Sequence, residues 1–323
     1  MSSAPWLAVA LPVWRGVRYL PDALASLDQP GLDGVEIVAV DDGSDDGSAD
    51  LLEGWRGRLP LRVERRPRGG NWVTATIEAI RLSRAPWISL LHQDDRWRPG
   101  RLAALSEVLR RHPEAALIVH AARFIDDRGA DLGPWRCSLP VGRLLSPADV
   151  LPRLRIQNVI PLPAACFRRD AFEEAGGLDP MLWYLADWDL WLRLSARAGL
   201  LYLDRPLCDF RLHPQSQTAV RTRDAADVLA QFRQVQRRAA ELARRLGVDG
   251  PVAERLDALA LAAYSLLLAI AHDQPRPWGA LWQAALRAGP WGCWRYARWS
   301  CLVERALPRW RLRRRMRRDD VRR

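Results

Sequence analysis

The sequence predicts an α/β protein, a largely parallel sheet flanked by helices and followed by a helical C-terminal extension. Three observations carry this expectation. The first third of the 323 residues alternates apolar runs with helix-forming stretches at the pitch of βαβ units. Two acidic clusters, Asp41-Asp42 and Asp94-Asp95, close apolar runs, at the strand ends where such sheets gather ligands. After about Thr218 the pattern changes to long amphipathic helices.

The elements follow in order. Leu7–Val13 is a continuous apolar run, as a strand buried on both faces would be. Its apolar neighbourhood, Trp6 to Trp14, has no basic residue before it and so reads as a strand rather than a signal peptide. Val17–Leu27 predicts a helix with Leu20, Leu24 and Leu27 on one face, and Val35–Val40 a strand ending in Asp41-Asp42-Gly43-Ser44. Ser48–Trp55 is a helix that Ser44 or Asp45 can cap, and Leu61–Glu64 a short strand. A helix over 71–83 leads to the strand Trp87–Leu91, which ends at His92-Gln93-Asp94-Asp95. Pro99–Arg111 is helical, with proline near its start, and Ala116–Ala122 is a strand. Residues 126–160 hold Gly129, Gly133, Pro134, Pro140, Gly142 and Pro147, which predicts loops. Ala164–Arg168 is a strand, Asp170–Ala175 a helix, Gly176–Asp179 a turn, Asp187–Gly199 a helix and Leu201–Leu203 a short strand. Long helices over 223–246 and 251–272 are punctuated by Gly247 and Gly250, and 277–306 gives shorter helices broken at Gly289-Pro290. The run Ala258–Ile270 is too short for a bilayer span of about 20 residues and reads as a core helix.

The charge is unevenly placed. A net +11 comes entirely from arginine, since the chain has no lysine. Residues 305–323 hold ten arginines against Asp319 and Asp320, so the remaining 304 residues are nearly balanced. The basic character therefore belongs to a tail, not to a nucleic-acid-binding body. Five widely spaced cysteines without a CxxC pair offer neither a zinc site nor a disulfide framework, and a reducing cytosol fits them.

The acidic clusters carry the chemistry. Asp94 and Asp95 read either as turn and cap residues or as ligands of Mg²⁺ or Mn²⁺, which takes one or two carboxylates and completes its shell with water and phosphate oxygens. Such a cation would neutralise charge on a departing diphosphate. Asp41 and Asp42 read either as turn formers or as acceptors for a base or ribose.

Five segments taken in order then resemble glycosyltransferase family 2: LAVALPVWR at Leu7–Arg15, VEIVAVDDGSDDGS at Val35–Ser48, WISLLHQDDRWRPGRL at Trp87–Leu102, GGLDPMLWYLADWDLWLRL at Gly176–Leu194, and FRLHPQSQ at Phe210–Gln217. The resemblance covers about residues 5–217 and implies a GT-A-type, Rossmann-like fold with a mixed, mostly parallel sheet. It implies an inverting, metal-dependent transfer from a UDP- or dTDP-sugar to a glycan or lipid-linked hydroxyl, in bacterial surface polysaccharide synthesis. Pro12 and the backbone around Val13 match the loop beside the nucleobase, and Asp42 with Asp41 the carboxylate that reads it. Asp94 and Asp95 match the end of the metal motif, Asp95 being the direct ligand. Asp187, at the head of ADWDLWLRL, matches the catalytic base, where the helix dipole favours its anionic form. Asp189 is a second candidate, in a supporting role, and Trp188 either stacks on a sugar or packs in the core. In the family the segment around His213 closes over the diphosphate or touches the metal. Arg211 suits the β-phosphate, because arginine binds phosphate oxygens bidentately.

This chain departs from the pattern at three places. His92 stands where the family usually has Asp, and three roles are open to it: neutral ligand, diphosphate donor or packed histidine. Thr76 and Ile77 replace an Arg-Asn pair, and Ala186 replaces an acid. Asn158 lies in the acceptor region without an assignable role.

Six of the 16 tryptophans fall between Trp278 and Trp310, interleaved with arginines, which suits either a membrane interface or helix packing. The chain thus divides into a transferase domain at 1–217, a helical subdomain at 218–304 and an arginine-rich tail at 305–323. The expected location is cytoplasmic, with the tail on an anionic leaflet and no specific nucleic acid as partner. Two rivals stand beside this reading. A nucleotidyltransferase would offer a glycine-rich, basic phosphate loop after the first strand, but Leu11–Tyr19 has only Gly16. A degenerate transferase domain that binds membrane or polyanion takes its support from His92 and Thr76.

Overall fold

The computed structural model describes residues 4–197, 199–216, 220, 222–250, 252–302, 306–308 and 311–312. Most of the 305–323 tail, Gln217 and Trp310 therefore lie outside the described residues.

Ten strands form one sheet among the described residues. They are β1 (Leu7–Val13), β2 (Val35–Asp41), β3 (Leu61–Arg65), β4 (Trp87–Leu90), β5 (Arg96–Trp97), β6 (Leu117–Ile125), β7 (Asp131–Trp135), β8 (Leu144–Leu145), β9 (Ala165–Arg168) and β10 (Leu200–Arg211). The order is β3-β2-β1-β4-β9-β6-β10-β5, with β7 on β6 and β8 on β10. β1, apolar at every position and wholly buried, lies parallel between β2 and β4. Parallel register brings Val13 beside Asp41 and Ala10 beside Leu90, so the residues that follow all three strands emerge on one edge. β9 runs antiparallel between β4 and β6, and β6 pairs parallel with β10, which makes the sheet mixed.

Helices cover both faces, as a sheet buried on both sides requires. On one face α1 (Leu20–Leu27), α2 (Ser48–Gly54) and α4 (Arg101–Arg111) contribute Leu24, Leu52 and Leu105 to one apolar cluster. On the other, α3 (Trp72–Leu82), α5 (Pro147–Leu154), α6 (Arg169–Glu174) and α7 (Ala186–Arg197) share a second cluster with the C-terminal helices. These are α8 (Ala225–Arg245), α9 (Ala253–Ala271) and α10 (Trp278–Trp299), the last kinked at Gly289, whose φ of 71° suits glycine. No helix among the described residues is long and apolar enough to cross a membrane.

Local expectations needed three corrections elsewhere; loops dominate residues 126–160 as expected, with β7, β8 and α5 set among them. α5 begins with a capping box in which Ser146 and Asp149 satisfy each other's backbone N–H, with Pro147 in the first turn. Helix α2 is not capped by Ser44 or Asp45. Gly47 occupies that position at φ 89°, Ser44 Oγ accepts from Arg15 N at 2.9 Å, and Asp45 pairs with the Arg15 guanidinium. The short strand at Leu201–Leu203 is part of the much longer β10, which crosses Arg205-Pro206 by register shifts against β6. The two-residue β5 was too short to give a periodic signal.

Candidate active site

The carboxyl edge of β1, β2 and β4 opens into a cleft of about 640 Å³. Its wall includes Pro12, Val13, Asp42, Asp94, Asp95 and Asp187, with Arg211 and His213 beside them. Residues expected at distant points of the chain thus meet in one place.

At one end, buried Asp42 is held by three donors from the loop after β3. Its Oδ1 accepts from Arg66 Nε at 2.8 Å and from Gly69 N at 2.7 Å, and its Oδ2 accepts from Arg68 Nη1. The Arg68 guanidinium carbon also sits 3.9 Å from the centroid of the Trp14 ring. Trp14, Arg68 and Asp42 therefore make a flat, polar-edged platform beside Pro12 and Val13. Neither Trp14 nor Arg68 was found from sequence. Gly43 packs so close to Arg68 N that a Cβ there would lie 2.8 Å from it, which fixes a glycine in the turn. Asp41 is not on the cleft wall. It is buried in the turn, with Oδ2 accepting from Ser44 N at 3.2 Å, as Asp-Gly-Ser turn chemistry predicts.

At the centre, β5 and the end of β10 fasten the acidic pair. Asp209 pairs with Arg96 in the β5–β10 ladder, and two residues on, Arg211 N donates to Asp95 Oδ1 at 2.9 Å. His213 Nε2 lies 2.9 Å from Asp94 Oδ2, and its ring packs 4.5 Å from that of Tyr19. Burial would raise the Asp94 carboxyl, but the His213 hydrogen bond and the neighbouring His92 and His213 outweigh it and hold the group below its ordinary value. Asp95 goes the other way. Burial and the adjacent Asp94 charge push its carboxyl well above the ordinary value, against the opposing Arg211 N–H and guanidinium.

This donor set fits a hard divalent cation. Two adjacent carboxylates face the cleft, and one of them resists ionisation in the absence of a counter-charge. His213 Nδ1 and His92 Nε2 are buried without hydrogen-bond partners. Among the described residues no group of three or more His, Cys, Asp or Glu side chains is placed to hold a metal ion, so a cation on this carboxylate pair would take the rest of its shell from water and substrate oxygens. His92 itself packs edge-on against Trp72 at 5.0 Å, and burial lowers its pKa against the opposing charge of Asp94.

Opposite, Asp187 opens α7. Its Oδ1 accepts from Trp188 N at 2.7 Å and its Oδ2 from Asn158 Nδ2 at 2.9 Å. Asn158 in turn accepts from Ile160 N at 3.1 Å through Oδ1. The chain has only two asparagines, and both line the cleft: Asn158 here, and Asn71 at the cap of α3.

Three other expected residues turn away from reacting groups. Asp189 is buried between Arg193 and Arg238, tying α7 to α8. Trp188 is core: its Nε1 donates to Leu154 O at 2.6 Å, and its ring meets Phe232 at 4.9 Å. The Arg211 guanidinium is already engaged, donating to Asp94 O at 2.8 Å, to Asp126 O at 3.2 Å and to Asp22 Oδ2 at 2.9 Å. Binding phosphate bidentately would require breaking that bracket. Thr76, which replaces the expected arginine, is buried, and its hydroxyl donates to Trp72 O at 2.8 Å.

Comparison with known proteins gives the family and the fold. A sequence model of glycosyl transferase family 2 matches residues 8–176. An uncharacterized glycosyltransferase of Rickettsia felis is 24% identical over 220 residues, covering 65% of this chain and 35% of its own length. An uncharacterized protein of Mycobacterium tuberculosis is 29% identical over 223 residues, covering 63% and 66% respectively. The chain thus spans about a third of the first relative and about two thirds of the second. The crystal structure of S. aureus TarS 1–349 in complex with UDP-GlcNAc superposes with a TM-score of 0.60 at 16% identity, covering 81% of this chain and 72% of that one. At that identity the likeness is one of fold. With the family match spanning just over half its length, and the cleft at the carboxyl edge of the sheet, the chain belongs to glycosyl transferase family 2.

Proposed function

We propose that this chain transfers a sugar, with inversion, from a nucleoside diphosphate sugar to a hydroxyl of a glycan or lipid-linked acceptor. UDP- and dTDP-sugars are the donors of choice, and bacterial surface polysaccharide is the product class. One observation carries the reading: a cation-type carboxylate pair, Asp94-Asp95, and a helix-opening carboxylate, Asp187, face the same cleft. The binding of UDP-GlcNAc by TarS, a protein of the same fold, supports the choice of donor.

The platform of Trp14, Arg68 and Asp42 receives the base, and the wall at Pro12 and Val13 limits its position. Asp95 and Asp94, with His213 beside them, hold Mg²⁺ or Mn²⁺, which when bound offsets the negative charge of the departing diphosphate. Asp187 takes the proton from the acceptor hydroxyl as its oxygen attacks the anomeric carbon, on the face opposite the bond that breaks to the diphosphate. Asn158 keeps Asp187 Oδ2 in place for that transfer.

The test is a binding and turnover screen of nucleotide sugars with and without Mn²⁺, followed by determination of the product's anomeric configuration. Retained configuration would exclude the single-displacement role of Asp187. Failure of every nucleotide sugar to bind would overturn the donor assignment.

A further inference from the structure

The C-terminal helix α10 carries an unusual outer face. Its inner face, Ala284, Ala288, Gly292 and Tyr296, is buried in the core shared with α9. Helical spacing would ordinarily leave the opposite face polar. Here Trp278, Trp282 and Leu286 recur every four residues along that outer face, and beyond the helix break at Gly289 a second helical stretch exposes Trp291 and Trp294. These five side chains are 55 to 76% exposed. Scattered exposed apolar residues need no explanation, but four exposed tryptophans within the stretch Trp278–Trp294 do. Trp291 and Trp294 pack edge to face at 5.4 Å, so these two rings support each other on the surface.

We propose that the exposed tryptophans of α10 form a docking surface for an anionic lipid bilayer. Tryptophan suits the headgroup level, where its ring is dehydrated while its indole N–H stays wet. The flanking charges share one sign: Arg287, Arg295 and Arg298 lie on the exposed side of the same helix, and no Asp or Glu occurs from Trp278 to Trp299. Because this stretch holds no acidic side chain, a second copy packed face to face would set arginine against arginine, so the charge selects an anionic membrane. With no helix fit to cross a membrane among the described residues, the contact lies in the interface plane.

The surface also has a functional position. Ser138 Oγ donates to Trp299 O at 2.6 Å, which ties the end of α10 to the segment after β7. Beyond it, Arg311 donates to Leu132 O at 2.7 Å, and Leu312 reaches the cleft wall. Leu312 on the cleft wall is 13 residues beyond Trp299, the last residue of α10. Docking on a bilayer favours a lipid-linked acceptor over a soluble glycan. This last consequence rests on the transfer reading, whereas docking does not.

The experiment is flotation of the full chain, without donor, on vesicles of phosphatidylglycerol and phosphatidylcholine, and on phosphatidylcholine alone. The wild type is expected to bind the anionic vesicles and to show quenching of tryptophan fluorescence by brominated acyl chains. Trp282→Gln with Trp294→Gln should lower that partitioning about tenfold while leaving circular dichroism and nucleotide-sugar binding unchanged. Arg287→Gln with Arg298→Gln should lower binding to anionic vesicles and leave the weak binding to neutral ones as it was. Equal flotation of the tryptophan variant would overturn the proposal by assigning binding to the arginine tail. Absence of flotation, with a sedimenting dimer that the same tryptophan changes abolish, would overturn it in favour of a copy-to-copy interface. Nucleotide-sugar binding, measured separately, reports on the transfer reading alone.

Discussion

The side-chain amide of Asn158 donates to Asp187 Oδ2 at 2.9 Å, and its own oxygen is fixed by Ile160 N at 3.1 Å. A loop before β9 thus orients the carboxylate that opens α7. Asp187→Asn keeps the shape and removes the base. Turnover should fall about a thousandfold, with donor affinity nearly unchanged, in single-turnover assays paired with calorimetric titration. Near-normal turnover would remove Asp187 from the base role.

Asn158 acts only through Asp187, so its effect should vanish when Asp187 is gone. Asn158→Ala should lower kcat about tenfold and leave the donor KM in place. In the Asp187→Asn background the same change should have little further effect. A full second loss would mean that Asn158 contacts substrate directly.

Asp95 gives a stability prediction with a definite sign. Its carboxyl titrates higher folded than unfolded, so ionisation penalises the native state. The favourable contribution of the neutral form is complete below the ordinary Asp value and is lost as pH rises through the raised folded value. Asp95→Asn should therefore raise Tm by about 2 °C near neutral pH in metal-free buffer, and the difference should close in acid. Millimolar Mn²⁺ should raise the wild-type Tm and leave that of the variant unmoved. A metal-induced shift that survives in the variant would exclude Asp95 as a ligand.

How much of this was legible beforehand depended on the range of each contact. β1, β2 and β4 announced themselves as apolar runs, Asp42 and Asp94 stood out because they follow the ends of such runs, and Asp187 stood out only through the resemblance of ADWDLWLRL. Asn158, Arg68 and Trp14 gave no such signal. Their partners lie 26 or more residues away and become neighbours only when strands align. The same holds for Arg211, whose charge invited a phosphate contact that only tertiary structure could show to be already engaged.

Asp42 shows what a concentrated ion network costs to break. It is buried and accepts from Arg66, Arg68 and Gly69. Asp42→Ala leaves two partly exposed guanidinium groups without their carboxylate, so the loss is smaller than for a fully buried pair, about 2 kcal/mol. Chemical denaturation should read that loss, with the donor KM rising about tenfold as the Arg68–Trp14 platform loosens. Unchanged donor affinity would separate this platform from base recognition.

Arg211 offers the sharpest contrast between two roles. The bracket it makes to Asp94 O, Asp126 O and Asp22 Oδ2 needs a fork of donors aimed three ways. Lysine keeps the charge but not the fork. If the arginine positions the metal-binding pair, Arg211→Lys should cost about 2 kcal/mol of stability. Asp22→Ala, on α1 and away from the cleft, should reproduce part of that loss, and the double variant should lose less than the sum. If the arginine instead served the diphosphate, Arg211→Lys would raise the donor KM at unchanged stability and independently of Asp22. The geometry favours the first pattern, because the donor nitrogens of this buried side chain are already directed at oxygens of the protein itself.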